Sequence, residues 1–420
     1  MSIYSIFIIQ FYLVFNSKIN MKFKNLFSLA ALSLMAAATL TSCEDILGEW
    51  SRPTPAVVTP SAIAVTGITL NETEATINLG ETKTLTATVA PDNATDKTVS
   101  WSTSDEAVAT VTDGVVTAVA AGTAVITATA NDGSGVKATC SVTVLPEGTL
   151  AGVFSVSATK KVQFSQGNLQ AKIASFGSDV ATASEWKFAD NQYSRIGNEP
   201  GNTSFAVDTW VDLFCWVGES ASNDTYGLIT FVSNSQANHG NVAGESLKTD
   251  WGKLAISNGG NAANSGWRTL KSDEWTYLFN SRSASTVNGT ENARFAKAKL
   301  FGTTYGVILF PDDYEHPADI TTPLTGINAT GNTSWSANQF TAAEWEKMES
   351  AGCVFLPAAG DRKGTSVNNA NLRGNYWSSS DGSNAGAACR MLFFATGLNP
   401  ASDGERYYGY SVRLVRDVTE

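Results

Sequence analysis

The sequence predicts a multidomain chain in which an all-β sandwich is followed by an α+β domain. Residues 65–144 alternate apolar and polar positions with period two in short runs, the pattern of half-buried strands. After residue 150 two amphipathic helical segments stand among short apolar strands, an arrangement that argues for sheet and helix around shared cores. Of 420 residues 43% are apolar and 10% aromatic but only 16% charged, with Thr, Ser, Asn and Gly filling the rest, as in extracellular β-rich proteins. That length supports two or three cores. The formal net charge is −11, and residues 1–42 hold three lysines and no acids, so the remainder is more acidic still. Such a surface repels phosphate backbones and excludes nucleic acid as a partner.

From Met21 the chain reads "MKFKNLFSLAALSLMAAATLTSCED": Lys22 and Lys24, an apolar run from Leu26 to Leu40, then small residues ending at Cys43. The segment resembles a bacterial lipoprotein signal, with Leu40-Thr41-Ser42-Cys43 in the place of the lipobox. The resemblance implies cleavage before Cys43, lipidation of its thiol, and attachment to the outer membrane. The apolar run, about fifteen residues, falls short of the roughly twenty that a membrane-spanning helix needs. Residues 1–20 carry no basic n-region of their own, so translation is expected to start at Met21, and residues 1–42 are read as leader. Glu44 and Asp45 are similar to the acidic signal that sends some Bacteroidetes lipoproteins to the cell surface. Residues 43–62, with Pro53, Pro55 and Pro60 and no hydrophobic period, are a tether.

Residues 63–146 are the sandwich. Leu85, Ala87 and Val89 alternate with Thr84, Thr86 and Thr88, and Ala124, Ile126 and Ala128 with Thr123, Thr127 and Thr129. The turns "PDNATD", "TDG" and "NDGSG" punctuate the strands. Trp101 is expected to plug the core, and Cys140, in phase with Val142 and Val144, to be a small buried hydrophobe. The stretch from "ITLNETEATINLG" to "GTAVITATA" closely resembles the bacterial Ig-like group 2 family, which implies a stalk or adhesin module.

Residues 150–418 hold most of the tryptophan and asparagine. In "GWRTLKSDEWTYLFNSR" Trp275, Leu278 and Phe279 are spaced to line one face of a helix. In "QFTAAEWEKMESAG" Thr341 and Glu344 form a capping box, Phe340 and Trp345 a hydrophobic staple, and Gly352 a stop. "GVILF" and "VFLPA" read as strands. "YSVRLVRD" reads as a half-buried closing strand near the start of the domain, with Arg413 on the face opposite Val412 and Leu414. In order, "VQFSQGNLQ", "WGKLAISNGG", "GWRTLKSDEW", "GVILFPDD", "VFLPAAG", "GNYWSSS" and "YGYSVRLVRD" resemble the Fibrobacter succinogenes major paralogous domain and related Bacteroidetes surface domains. That resemblance implies a C-type-lectin-like fold, distantly related to the sulfatase-modifying-factor fold.

Little in this region reads as catalysis. A hydroxyl nucleophile needs a neighbouring base, and the chain has two histidines, His239 and His316, neither in a hydrolase motif. The serines of "YWSSS", Ser378–Ser380, are read as packing groups behind a core Trp377. The sulfatase-modifying relatives imply a closely spaced reactive cysteine pair, whereas Cys389 and Cys353 stand thirty-six residues apart. Asp312 with Asp313, and Asp403 with Glu405, have the oxygen chemistry of Ca²⁺ ligands but are also ordinary turn acids. "NEPGN" at 198–202 departs from the lectin Ca²⁺ triplet and reads as a turn. No enzyme activity, metal or cofactor is expected. The exported location permits disulfides among Cys140, Cys215, Cys353 and Cys389, in any pairing. Binding of a glycan or protein ligand is assigned to loops rich in Asn and Tyr, with Asn369, Asn371, Arg373 and Asn384 as candidate contacts and Tyr407 and Tyr408 as stacking faces. The other class open to such a chain is a structural or tip subunit of a pilus-like surface assembly.

Overall fold

Period-two patterning yields nine short strands before Pro146. They are β1 (Gly67–Leu70), β2 (Glu74–Asn78), β3 (Thr82–Thr84), β4 (Ala87–Ala90), β5 (Val99–Thr103), β6 (Ala109–Thr112), β7 (Val115–Ala118), β8 (Gly122–Ala130) and β9 (Lys137–Leu145). In this computed structural model, which describes residues 61–177, 181–221, 227–228 and 239–418, they form sheets ordered β2-β9-β8-β5 and β3-β7-β6 with a β1-β4 pair. The expected leader 1–42, the lipidation site Cys43 and the tether up to residue 60 lie outside the described residues.

Ala124, Ile126 and Ala128 of β8 face Cys140, Val142 and Val144 of β9 in one apolar cluster. The alternation expected from Thr84 to Val89 holds in burial, but the strand breaks in two at Leu85 and Thr86: β3 pairs with β7, β4 with β1. Trp101 is half-buried against the core rather than enclosed by it. Its ring lies over the β6–β7 turn, where Asp113 and Gly114 both take positive φ, 50° and 81°. That is the two-residue turn whose twist matches a hairpin. A Cβ on Gly114 would sit 2.4 Å from the Leu85 carbonyl oxygen, so only glycine fits.

After the connection Pro146–Gly148 come β10 (Thr149–Ser155), β11 (Lys161–Ser165), β12 (Leu169–Phe176), β13 (Ala181–Phe188), β14 (Trp210–Val211), β15 (Trp267–Thr269), β16 (Phe295–Leu300), β17 (Thr304–Leu309), β18 (Gln339–Phe340) and β19 (Val354–Pro357). They are followed by β20 (Asp361–Lys363), β21 (Ser366–Asn368), β22 (Arg373–Asp381), β23 (Ala387–Phe394), β24 (Gly397–Glu405) and β25 (Leu414–Asp417). Sheets run β10-β11-β25-β15, β13-β12-β14, β18-β16-β17-β19 and β22-β23-β24, with a β20-β21 hairpin. No sheet mixes strands from the two sides of Pro146, yet Ala62–Glu420 forms a single compact unit. The protein is thus mostly β, and among the described residues no helix is long and apolar enough to cross a membrane.

Both expected helices form, at Ser272–Asn280 and Ala342–Ser350. Trp275, Leu278 and Phe279 of the first are buried. Its start is clamped by Glu274, which accepts from the Lys271 amide at 2.8 Å and takes both terminal nitrogens of Arg268 at 2.7 and 2.9 Å. In the second, Thr341 Oγ1 accepts from the Glu344 amide and Glu344 accepts from the Thr341 amide, while Phe340 and Trp345 share a core. "NEPGN" is a turn only at its start: after Asn198 and Glu199, Pro200 opens a one-turn helix, and Asn202 is buried with its amide on Asp212, 2.7 Å.

β25 closes against β11 as expected. The expectation that it is half-buried fails at Arg413, which is wholly buried like Val412, Leu414 and Val415. Two apolar cores flank this strand, one with Val415 and Tyr376, the other with Val412, Leu414 and Trp377. Tyr376 and Trp377, adjacent on β22, enter opposite cores because successive strand residues point to opposite faces.

Candidate functional site

The second half of β22 commits two of its three serines to the fold. Trp377 is fully buried, its Nε1–H donates to the Phe214 carbonyl at 2.7 Å, and its ring lies 4.4 Å from that of Tyr410. Ser378 Oγ donates to the Cys389 carbonyl at 2.8 Å and accepts from the Ser380 amide at 3.2 Å. Ser380 Oγ accepts from the Ser272 amide at 3.0 Å, joining this strand to the helix start. These hydroxyls are committed to backbone.

The other candidate chemistry is committed in the same way. Nδ1 of His316 sits 2.8 Å from the Tyr314 hydroxyl, and burial lowers the affinity of the imidazole for a proton. All four described cysteines are free thiols. Burial pushes the Cys353 and Cys389 thiols up, so both stay protonated and weakly nucleophilic near neutrality. Asp312 pairs with buried Arg282 at 2.8 Å and accepts from the amide and hydroxyl of Ser155, at 2.9 and 2.6 Å. Asp403 accepts from the Ser383 amide at 3.1 Å and from Asn384. Among the described residues no three His, Cys, Asp or Glu side chains converge as a metal site.

Of the proposed ligand contacts, the fold gathers four. The β20–β21 hairpin is fastened to the end of the chain by reciprocal backbone bonds between Arg362 and Gly409, each 2.9 Å. Lys363 Nζ therefore lies 5.3 Å from the centroid of the Tyr408 ring, and its interaction with the Tyr408 side chain holds it above the usual lysine range. Tyr407 and Tyr408 meet edge to face at 4.9 Å, both half-exposed. Asn369, exposed and left-handed at φ 56°, donates to Asp361 at 2.9 Å at the base of the same hairpin. Arg373 lies over Phe394 at 5.5 Å. Both Asp361 and Arg373 act electrostatically on Tyr410, whose phenol is pushed up chiefly by burial and eased by Arg390.

The remaining two go elsewhere. Asn371 accepts from the Tyr305 amide at 2.9 Å and donates to the Thr303 carbonyl at 2.6 Å, pinning its loop to β17. Asn384 caps the far end of the β22–β23 hairpin, against Ser383 and Asp403. Asp361 and Lys363 escaped sequence reasoning. The one signal for them is the turn string "DRKGTS", which marks a tight hairpin but not what it packs against.

Residues 64–142 match the family of bacterial Ig-like domains, group 2. This segment is a group 2 bacterial Ig-like domain. An α-L-arabinofuranosidase of Bifidobacterium longum is 40% identical over 145 residues, 33% of this chain and 13% of that enzyme. An Ig-like virion protein of Serratia phage KSP90 is 41% identical over 115 residues, 27% of this chain and 44% of that protein. This chain thus spans less than half the length of either relative. Among solved structures the S-layer protein rSbsC is similar at a TM-score of 0.18 and 17% identity, covering 30% of this chain and 23% of that one. That likeness is too slight to bear on fold or role. An Ig-like domain of this group suggests a structural or binding protein of a cell surface or virion.

Proposed function

We propose that the chain is a surface lipoprotein, anchored in the outer membrane through Cys43, whose Ig-like domain is a spacer and whose C-terminal region binds a glycan or protein ligand. Its carrying observation is the patch of Lys363, Asn369, Tyr407 and Tyr408: two half-exposed aromatic rings, a cation and an amide at one hairpin. Rings of this kind supply flat apolar area at low entropic cost, and the amide supplies adaptable hydrogen bonding, which suits a neutral polar ligand such as a sugar. The order of leader, tether and Ig-like domain supports a display role. The motif series from "VQFSQGNLQ" to "YGYSVRLVRD" supports a C-type-lectin-like reading of residues 150–418. On this reading the chain is no enzyme, needs no metal or cofactor, and avoids nucleic acid. A role as structural subunit is the second reading, favoured by the similarity to a virion protein.

The test is a screen of the full chain against host glycans, mucin and matrix proteins, with the double variant Tyr407→Ala/Tyr408→Ala as comparison. Loss of two ring contacts is expected to weaken binding by about tenfold or more. Binding that survives unchanged in the double variant would remove the patch from the site. Failure of the full chain to bind any of these, with a stoichiometric partner recovered from the cell envelope, would favour the structural reading.

A further inference from the structure

We infer that the cleft between the Ig-like domain and the C-terminal region receives an extended basic polypeptide segment, added as a strand along the open edge of β2. β2 pairs only with β9, so it is an edge strand with backbone donors and acceptors left over on one side; β10 pairs only with β11, but its outer groups at Val153 and Ser155 are taken by Asp312. Both edges line one cleft of about 540 Å³, which takes in all of β2 and residues 149–151 of β10. Its floor is apolar, with Ile77 buried and Leu150 half-buried. Its rim is acidic: Lys83 pairs with Glu72 at 2.8 Å, Glu81 accepts from the Asn78 amide at 3.2 Å and Glu349 from Gln192 at 2.8 Å, and none of Glu74, Glu81 and Glu349 forms an ion pair among the described residues. Thr149 lines the same cleft at 2% exposure, and its hydroxyl makes no hydrogen bond within the protein. A buried hydroxyl without a partner is destabilising, and an incoming backbone amide or carbonyl would relieve it.

These features select the occupant. A strand laid along β2 presents alternate side chains to the floor and to the rim, so it should alternate apolar with Lys or Arg. A second copy of this chain fits poorly, because two edges carrying Glu74 on a chain of net charge −11 would bring like charges together. A small cation would satisfy the carboxylates and leave the β2 edge unpaired.

The experiment uses the full chain with a synthetic decapeptide of alternating Lys and Val, and one of alternating Glu and Val as control. Hydrogen exchange should slow at the amides of residues 74–78 with the basic peptide only. The variant Glu74→Lys/Glu349→Lys should weaken the basic peptide by about tenfold. Should that variant fail to fold, Glu74→Gln, on an exposed side chain, should still weaken it by about threefold. The inference is overturned by equal protection with the acidic peptide, by protection away from β2 and β10, or by unchanged affinity in both variants. It is also overturned by full displacement with spermidine, which marks a cation site, by protection at 74–78 from self-association alone, and by no binding of the basic peptide.

Discussion

Replacement of Trp377 by alanine, set beside alanine at each of Ser378, Ser379 and Ser380, separates a packing role for this stretch from a binding role. Trp377 is fully enclosed, so its loss removes a large aromatic and leaves a cavity, about 3–5 kcal/mol. The Phe214 carbonyl loses one of its two donors but keeps the Tyr410 amide at 2.9 Å, so this adds at most about 1 kcal/mol. Ser378, wholly buried with a donated and an accepted bond, should cost about 1–3 kcal/mol. Ser380 holds one backbone amide and should cost about 1 kcal/mol. Ser379 is half-exposed, its amide rather than its hydroxyl bonding the Leu270 carbonyl, so its cost should lie within about 0.5 kcal/mol. Urea unfolding of the four variants gives the order directly. The reasoning fails if Trp377→Ala costs less than about 1 kcal/mol or if Ser379→Ala is the worst of the serines.

Burial lowers the pKa of Lys297 to about 8, from 10.5. Between those values the unfolded chain binds more protons, so stability should rise from pH 8 to pH 10.5. Lys297→Met should flatten that slope in melts taken across the range, and an unchanged slope would assign it to other groups. Cys43→Ala should leave an unlipidated precursor, read as loss of detergent-phase partitioning and of fatty-acid label; retained label would end the lipoprotein reading.

Sequence legibility followed range. The capping box of Thr341 and Glu344, the buried face of Trp275, Leu278 and Phe279, and the phase of Cys140 are local, set by neighbours within about one turn or one pleat. Arg413 was misplaced because alternation assumes a strand with one wet face. Instead Arg413 reaches Gln192 at 3.2 Å and Asn168 at 3.5 Å, residues more than two hundred positions away. The candidate site was legible as residue types and not as a place. Asn369 and Asn371, two apart and both left-handed, send their amides to Asp361 and to Thr303, and nothing in the local pattern separates them. The break at Leu85, likewise, follows from which sheet each half joins.

The parallel pairing of β2 with β9 has a mechanical consequence. Once β1 has come away from β4, a pull between residue 62 and Pro146 draws the start of β2 and the end of β9 in opposite directions, along the strands. The five paired positions from Glu74↔Ser141 to Asn78↔Leu145 then carry the load in shear, all at once, rather than opening in turn like a zipper. Gly148 extends the path beyond Pro146: a Cβ there would lie 2.4 Å from the Asn258 carbonyl oxygen, so the linker is seated on the C-terminal region and gives little slack. Under tension the Ig-like domain would therefore yield at high force and slowly, its lifetime set by the unfolding barrier rather than by its equilibrium stability.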